Sequence, residues 1–547
     1  MVKPADELLF LALGGSGEIG MNVNLYGCQG KWIMVDLGLS FADPYYPGVD
    51  LVLPDLEFIE QRADDLLGIV LTHGHEDHIG AIPYLAADLG VPLYATSFTA
   101  DLIRRKLDEA GLVDQVELHV VDLDSIVDLG PFSCQYIPLA HSIAEGNALL
   151  INTPHGRIFH TGDWKLDDDS IISSPATQEQ LSKIGDEGVL ALVCDSTNAF
   201  SNAESGSEGV VRDNLIELIK GLPNRILVTS FASNIARLDS LGKAAKAAKR
   251  QLCVAGRSLD RMIEVGQANG YLKDFPATIE FDEAMRLPRN QVMIIATGGQ
   301  GEPRAALSRI ASDTHPIKVE KGDHILFSSK QIPGNEIAIG RIQNALAEAD
   351  VEMITEKQAH IHVSGHPGRP ELVKFYQWLR PEILLPVHGE MRHMKEQAKL
   401  GRENNISQTI VQKNGQLLRL APGKAVHISH ERAGRLLLDG DMIIEADGAT
   451  MNERRKLSFH GQASVAFFIG ENGRVQGDPI ISMLGVPLEI EIDEFMDEAV
   501  EELNEILRAF NKGDLEKLKE KMRIALRKII RQWTGKKPVV TVLAVEA

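Results

Sequence analysis

No stretch of this chain stays apolar for the ~20 residues that a membrane-crossing helix needs; the longest apolar run near its start covers only residues 8–13. Asp6 and Glu7 stand directly before that run and carry the wrong charge for a secretory signal. A cytoplasmic protein without membrane contact is the expectation. Cysteine is scarce. Cys28, Cys134, Cys194 and Cys253 are scattered with no CxxC spacing, which points to reduced structural thiols and away from a disulfide framework. Aromatic residues make up 5% while glycine reaches 48 residues, a mix that suits an α/β protein with many tight turns better than a helical bundle. Basic charge is also short. The net charge of −21 argues at first against a nucleic-acid partner, because phosphate binding leaves a basic footprint. Net charge, however, bears on solubility and steering, and a metal cluster brings its own positive charge. An acidic protein that binds nucleic acid must then do so in a local basic channel. Solenoid repeats and low-complexity tracts are absent.

What is present is a chain of 547 residues, enough for several domains at roughly 100–200 residues each. Short apolar runs bounded by turn residues read as strands at 8–13, 22–26, 32–36, 68–71, 92–95, 133–137, 148–151, 157–161 and 190–195, with a helix at 83–89. Gly14-Gly15-Ser16-Gly17 lacks the full GxGxxG order and the Lys-Ser/Thr of a nucleotide loop, so it reads as a strand turn near the site. After about residue 198, strands at 225–229, 251–254, 291–297 and 324–328 alternate with helices, two of them at 209–221 and 235–249. That alternation is the pattern of a parallel sheet with its own core. At 383–387 the strand-then-histidine pattern of the first 200 residues resumes, so the middle segment reads as an insertion. A strand-rich linker begins near 420. The tail holds strands at 463–469 and 480–483, helices at 494–510 and 515–532, and a last apolar run at 539–545. The first of those helices is acidic; the second carries Lys517, Lys519, Lys521, Arg523, Arg527, Lys528 and Arg531. Pairing of the two helices is the plain expectation.

The chemistry concentrates after the strand at 68–71. Thr72-His73-Gly74-His75-Glu76-Asp77-His78 sets imidazoles and a carboxylate in one short loop, a donor set that suits zinc or manganese. His73 and His75 can face one metal while Asp77 and His78 face a second. Further ligands must come from other loops that follow apolar strands. The candidates are His141 in Pro138-Leu139-Ala140-His141, Asp163 in His160-Thr161-Gly162-Asp163, and His388 in Pro386-Val387-His388-Gly389-Glu390. A lone histidine is more often structural than functional. His119, His155, His160, His324, His393, His427, His430 and His460 have no such context and read as structural or surface residues.

These elements resemble the metallo-β-lactamase superfamily. The resemblance assigns His73, His75 and His141 to one metal and Asp77, His78 and His388 to the other, with Asp163 bridging. Two metals about 3.5–4 Å apart stabilise both the attacking and the leaving oxygen, which favours attack on a phosphodiester. Within the superfamily, Cys194-Asp195-Ser196-Thr197-Asn198, His362-Val363-Ser364-Gly365-His366 and Pro386-Val387-His388-Gly389-Glu390 look like the three motifs of the β-CASP nucleases. Thr297-Gly298-Gly299-Gln300-Gly301-Glu302-Pro303, Leu13-Gly14-Gly15-Ser16-Gly17-Glu18-Ile19-Gly20 and the C-terminal appendage make the chain similar to the ribonuclease J family over essentially its whole length.

That resemblance implies an αββα metallo-β-lactamase sandwich with an inserted β-CASP α/β domain and a small α/β C-terminal domain. The expected bounds are 1–200 and 371–425 for the two parts of the sandwich, 201–370 for the insertion, 426–460 for a linker and 461–547 for the C-terminal domain. The implied activity is 5′→3′ exonuclease action on 5′-monophosphorylated RNA together with endonuclease action, in RNA processing and decay, leaving a 5′-phosphate and a 3′-hydroxyl. Two Zn2+ per subunit, or Mn2+, are the implied cofactors. A homodimer or homotetramer and partners in an RNA-decay complex are the implied assemblies. Asp77, His366 and Asp195 are the candidate catalytic residues. An imidazole near neutral pKa can protonate a leaving 3′-oxygen, which suits His366, and Asp195 would accept its other ring N–H and fix its orientation. Ser233, Asn234, His362, Ser364 and His366 match the positions of a 5′-phosphate pocket. Ser233 and Asn234 also precede a helix, where they serve equally as its cap. Two rivals stand beside this reading: a small-molecule hydrolase of the superfamily, such as a thioesterase or lactamase, and a non-catalytic RNA-binding subunit. The inserted domain argues against the first, and the filled ligand positions argue against the second.

Overall fold

Two sheets face each other and share their apolar sides. The computed structural model describes residues 6–332, 334–471, 473–510 and 514–546. The first sheet has eight strands in the order Val426–His430, Gln416–Ala421, Leu8–Gly14, Val23–Cys28, Lys31–Val35, Leu66–Val70, Leu93–Thr96 and Leu118–Val121. The second has seven, in the order Ile126–Leu129, Phe132–Pro138, Asn147–Thr153, Gly156–His160, Ala191–Asp195, Ile383–Val387 and Gln408–Thr409.

Side-chain alternation makes the layers. Along Asn147–Thr153, Leu149 and Ile151 enter the core between the sheets, while Ala148 and Leu150 enter a second core outside it. The same split separates Ala191 and Val193 from Leu192 and Cys194. Burial on both faces is why these strands read as unbroken apolar runs. The helices Gln178–Asp186, Arg369–Leu379 and Met391–Glu403 close the outer core with Leu181, Phe375 and Leu400. Trp164 stacks on Phe375 with ring centres 4.1 Å apart. The helix Ser97–Ala110 packs on the strands Leu93–Thr96 and Leu118–Val121 of the first sheet. This is the expected αββα sandwich. All four cysteines are free and buried, and no helix among the described residues is long and apolar enough to cross a membrane.

The chain leaves the second sheet after Ala191–Asp195 and rejoins it on Ile383–Val387, the parallel neighbour of that strand, with Asp195 level with Val387. Exit and return on adjacent strands therefore bring Asp195 next to His388. Between them lies a six-stranded parallel sheet in the order Thr278–Ile279, Gln251–Ala255, Val292–Ala296, Ile226–Thr229, His324–Phe327 and Glu352–Ile354. Its core is separate, built from residues such as Leu227, Ile294, Leu307 and Ile325.

A buried chain of charges joins the insertion to the loop after Gly156–His160. Lys165 Nζ sits 2.9 Å from Asp167 Oδ2, both side chains being 1% exposed. Asp167 Oδ2 accepts the Glu208 N–H at 3.1 Å, and the Glu208 carboxylate takes the Arg237 guanidinium at 3.0 and 3.1 Å. Arg237 also donates to Ser328 O at 2.8 Å and to Ile361 O at 2.9 Å. Removing one partner of a fully buried pair leaves the other charge uncompensated and costs about 3–5 kcal/mol, whereas removing both costs far less. Arg237→Met should therefore lower the urea unfolding midpoint substantially, and Arg237→Met combined with Glu208→Leu should recover the part due to the unpaired carboxylate, while the bonds to Ser328 O and Ile361 O stay lost. An unchanged midpoint in Arg237→Met would show that the pair contributes nothing.

By compactness the chain divides into two units, Met1–Ser40 with Leu53–Gly434, and Phe41–Val52 with Arg435–Ala547. The second unit begins inside the segment read as a linker, and it takes in residues 41–52, which nothing in their sequence announces. It also holds a helix, Ala449–His460, where a strand-rich linker was expected. Met451 is its one buried residue, so it has no apolar stripe to reveal it. After that helix the chain forms a three-stranded sheet in the order Val475–Leu484, Gln462–Ile469, Val539–Glu546, covered by the helices Ile492–Arg508 and Leu515–Thr534. Phe495, Ala499, Leu503 and Leu507, four residues apart, face Leu518, Met522, Leu526 and Ile530. The acidic and basic helices do pair, with Lys528 Nζ 3.9 Å from Glu502 and Trp533 Nε1 donating to Glu498 at 2.9 Å.

Candidate metal centre

All seven expected ligands converge at the ends of strands of the sandwich. His73 follows the strand Leu66–Val70. Asp77 and His78 lie on a four-residue helix, Glu76–Ile79, rather than in the loop that the spacing suggests. His141, Asp163 and His388 follow the strands Phe132–Pro138, Gly156–His160 and Ile383–Val387. The donor atoms of His73, His75, His141 and Asp163 lie within 4.8 Å of one another, as do those of Asp77, His78, Asp163 and His388. Asp163 is common to both groups.

The donor atoms fit cations better than they fit each other. His75 Nδ1 is 3.1 Å from His73 Nε2 and 3.1 Å from His141 Nε2, so three ring nitrogens point at one spot. Asp163 Oδ2 lies 3.8 Å from both His73 Nε2 and His141 Nε2. Asp163 Oδ1 is buried without a hydrogen bond among the described residues, although His78 Nε2 is 3.3 Å away. In the second group His388 Nε2 is 2.9 Å from Asp77 Oδ2, and His78 Nε2 is 3.6 Å from the same oxygen. Crowded lone pairs and an orphaned buried carboxylate oxygen are what a divalent cation in each group would resolve.

Electrostatics separates the two groups. Burial pushes the His75 ring down to about 4 and the His141 ring down to about 3, and it holds His73 well below its ordinary value. Those rings are neutral, the form that binds metal. Burial acts the same way on His78 and His388, but there Asp163 first, and then Asp77 for His78 and the Asp195 and Asp77 bonds for His388, outweigh it and hold both rings well above the ordinary value. Burial alone would raise Asp163 and Asp77. His388 and His78 instead hold Asp163 well below the carboxylate range, and His78 with His388 does the same for Asp77.

The groups that orient these ligands include several that sequence reasoning missed. Asp36 ends the strand Lys31–Val35 with φ 63°, and its Oδ2 accepts His78 Nδ1 at 2.7 Å while its Oδ1 accepts the Thr72 N–H at 2.8 Å. Asn22 donates to Asp77 O at 3.1 Å. Thr197 Oγ1 is 2.7 Å from His388 Nδ1 and 2.7 Å from Asp195 Oδ1. Gln397 donates to Asp195 O at 2.8 Å. The one signal for Asp36 is an acid at the end of an apolar run, in Val35-Asp36-Leu37-Gly38. His160 is structural, with Tyr26 OH 2.8 Å from its Nδ1.

Beside the second group, His366 Nδ1 is 2.7 Å from Asp195 Oδ2 and 4.0 Å from Asp163 Oδ2. Burial would lower this ring, yet Asp195 and then Asp163 raise it. The Asp195 carboxylate is itself held low by His366 against its own burial. The loop at 361–366 reaches the first group too, since His141 Nδ1 bonds Gly365 O at 2.7 Å. Ser364 Oγ accepts from Asn198 Nδ2 at 2.7 Å and from the His366 N–H at 3.1 Å. His362 Nδ1 is buried with no hydrogen bond among the described residues. Burial, then Arg237, Lys330 and Lys165, pushes the His362 ring down to about 3. Ser233 is half-buried. Asn234 is the cap of the helix Ile235–Ala247, accepting the Arg237 N–H at 2.8 Å, and its amide donates to Glu208 at 3.2 Å. The Asn234 side chain is therefore already committed to the cap and to Glu208.

Comparison with known proteins covers the whole chain. Family models match in four places: a β-lactamase superfamily domain at 31–177, a ribonuclease J β-CASP domain at 223–346, a Zn-dependent metallo-hydrolase RNA specificity domain at 351–411, and a ribonuclease J C-terminal domain at 449–547. Ribonuclease J of Sinorhizobium meliloti is 42% identical over 98% of this chain and 97% of its own length. Ribonuclease J of Mycolicibacterium smegmatis is 36% identical over 96% of this chain and 94% of its own. That of Corynebacterium glutamicum is 36% identical over 98% and 76%. Among solved structures, a protein of unknown function from Enterococcus faecalis matches with a TM-score of 0.53 at 18% identity, covering 76% of this chain and all of its own. That last likeness speaks for the fold alone.

Proposed function

The chain belongs to the ribonuclease J family, and on that premise we propose that it hydrolyses RNA at the centre built on Asp163, from 5′-monophosphorylated ends in the 5′→3′ direction and also internally. It is a metal-dependent ribonuclease. The observation that carries the reading is the pair of donor groups sharing Asp163, with His366 held against Asp195 beside them. We assign His73, His75 and His141 to one ion and Asp77, His78 and His388 to the other, with Asp163 bridging. An all-imidazole and carboxylate donor set suits zinc, with manganese as the alternative. Bound there, a divalent pair supplies Lewis acidity at the phosphate and activates water at neutral pH.

The remaining roles fall to the chain itself. Asp36 and Thr197 fix the rings of His78 and His388, leaving the Nε2 atoms facing inward. Asp195 accepts the His366 Nδ1–H, so Nε2 of that ring is the atom placed to give a proton to the leaving 3′-oxygen. The products are then a 5′-phosphate and a 3′-hydroxyl. Ser233, the helix N-terminus capped by Asn234, His362, Ser364 and His366 form the proposed pocket for the 5′-phosphate. Of the cations nearest His362, Arg237 and Lys165 are paired with Glu208 and Asp167. Most of the basic charge beside His362 is therefore offset by carboxylates. The C-terminal unit exposes Ile480, Leu484, Ile490 and Leu543 and is the proposed site of homodimer or homotetramer assembly. Cytoplasmic RNA processing and decay, with partners of a decay complex, complete the proposal.

Ser364 tests the 5′-phosphate pocket. Ser364→Ala should cut exonuclease turnover of 5′-monophosphorylated RNA by about tenfold, the value of one hydrogen bond to a charged group, and internal cleavage of a circular RNA far less. Equal losses in the two assays would remove Ser364 from the pocket.

A further inference from the structure

We propose that the carboxyl end of the inserted domain's parallel sheet holds a second nucleotide subsite, one that takes a phosphate-bearing ribonucleotide. A cavity of about 100 Å³ opens there, lined by Ser230, Ser258, Thr297, Gly299, Glu302 and Ser329 among others. Ser230, Thr297 and Ser329 follow three neighbouring strands, Ile226–Thr229, Val292–Ala296 and His324–Phe327. The chain passes from the first of these strands to one side of the sheet and later to the other, so the cavity lies at the switch point where open α/β sheets place their ligands. None of these lining residues belongs to the metal centre or to the proposed 5′-phosphate pocket. The Thr297–Pro303 motif, otherwise without a task, forms one wall.

Two hydroxyls here are left over by the fold. Ser230 Oγ and Thr229 Oγ1 are buried with no hydrogen bond among the described residues, and the two residues are 4% and 0% exposed. Such groups cost stability unless something meets them. Gly299 keeps the gap open, because a Cβ there would stand 2.8 Å from Ser329 Oγ and 3.0 Å from Thr229 Oγ1. Gln300 makes the walls rigid, donating to Lys330 O at 2.8 Å and accepting the Ile332 N–H at 3.0 Å. Ser258 lies in the first turn of the helix Arg257–Ala268, whose cap residue, Gly256, offers no side chain to its free N–H groups. Arg257 and Lys330, exposed and adjacent in the chain to Ser258 and Ser329, add positive charge.

Hydroxyls, a helix N-terminus and two cations fit a phosphate. Glu302 does not; its Oε2 accepts the Gln300 N–H at 3.0 Å and its charge opposes a bare anion. A ribonucleotide satisfies both, with its phosphate toward the serines and the helix and its ribose hydroxyls toward the carboxylate. Two sources share this chemistry: a nucleotide of the RNA substrate, which rests on the ribonuclease reading, and a free mononucleotide, which does not.

The test is calorimetric titration of the full-length protein with AMP and, separately, with inorganic phosphate. The wild type should show an AMP site besides the catalytic one. Ser230→Ala with Ser329→Ala, which removes only hydroxyls and leaves the fold without strain, should weaken that site about tenfold or more. Glu302→Gln should weaken AMP binding and strengthen phosphate binding. Unchanged AMP isotherms in both variants would overturn the subsite. A raised KM for a short 5′-monophosphorylated RNA in the serine variant would identify the RNA as the source. An unchanged KM with the AMP site lost would identify the free mononucleotide. A protein that binds AMP in this way yet cleaves no RNA would sink the ribonuclease reading and leave the subsite standing.

Discussion

Asp77→Asn and His75→Ala should each lower RNA cleavage by about a thousandfold or more, the loss expected when several kcal/mol of transition-state charge stabilisation disappear. Asp77 Oδ2 stands 2.9 Å from His388 Nε2 and 3.6 Å from His78 Nε2, so it is the one carboxylate exclusive to the second donor group. His75 Nδ1 holds the corresponding place in the first, between His73 and His141. Both residues are half-buried on the segment after Leu66–Val70, and neither belongs to the apolar cores. The circular dichroism spectrum should therefore match that of the wild type, while metal content per chain falls. Full cleavage activity in either variant would sink the two-ion assignment.

His366→Ala is expected to cost about 10²–10⁴-fold in turnover, the usual worth of a positioned acid, with metal content unchanged. Asp195→Asn should cost about 10–100-fold, the range for a group that orients another. The two residues act as a unit through the 2.7 Å contact between His366 Nδ1 and Asp195 Oδ2. The double variant should thus be little worse than His366→Ala alone. Asp195 has a second duty that bounds this expectation, since its Oδ1 accepts from Thr197, which in turn holds His388. A double variant whose loss equals the product of the single losses would show that His366 and Asp195 act independently.

Most of what these variants probe is legible in the amino-acid order. The His73–His78 motif, His141, Asp163 and His388 each follow an apolar strand, and strand ends are where a rigid sheet presents side chains. The parallel sheet of the insertion shows because strands buried on both faces are apolar without interruption. Asp36, Asn22, Thr197 and Gln397 do not show, because their task is set by a partner far away in sequence. Asp36 meets His78 only once two strands and a helical turn have packed. The Glu208–Arg237 pair is invisible for the same reason, as ordinary surface and buried pairs look alike in sequence. The helix Ala449–His460 hides because it buries a single residue. Asn234 shows a different limit: its position fits both a helix cap and a phosphate contact, and only its bonds to Arg237 and Glu208 show where the side chain is used.

The measurement that bears most directly on the whole account is a time course on RNA labelled at its 5′ end, with the protein stripped of metal by chelation and then resupplied with zinc, manganese or magnesium. Matched substrates carry a 5′-monophosphate, a 5′-hydroxyl or a 5′-triphosphate. The stripped protein should cleave none of the three. On resupply, labelled mononucleotide should be released immediately from the monophosphate substrate, with slower internal fragments from all three. Cleavage undiminished by chelation would contradict the metal-dependent mechanism, and no cleavage with any of the three metals would contradict the RNA substrate and favour the small-molecule hydrolase.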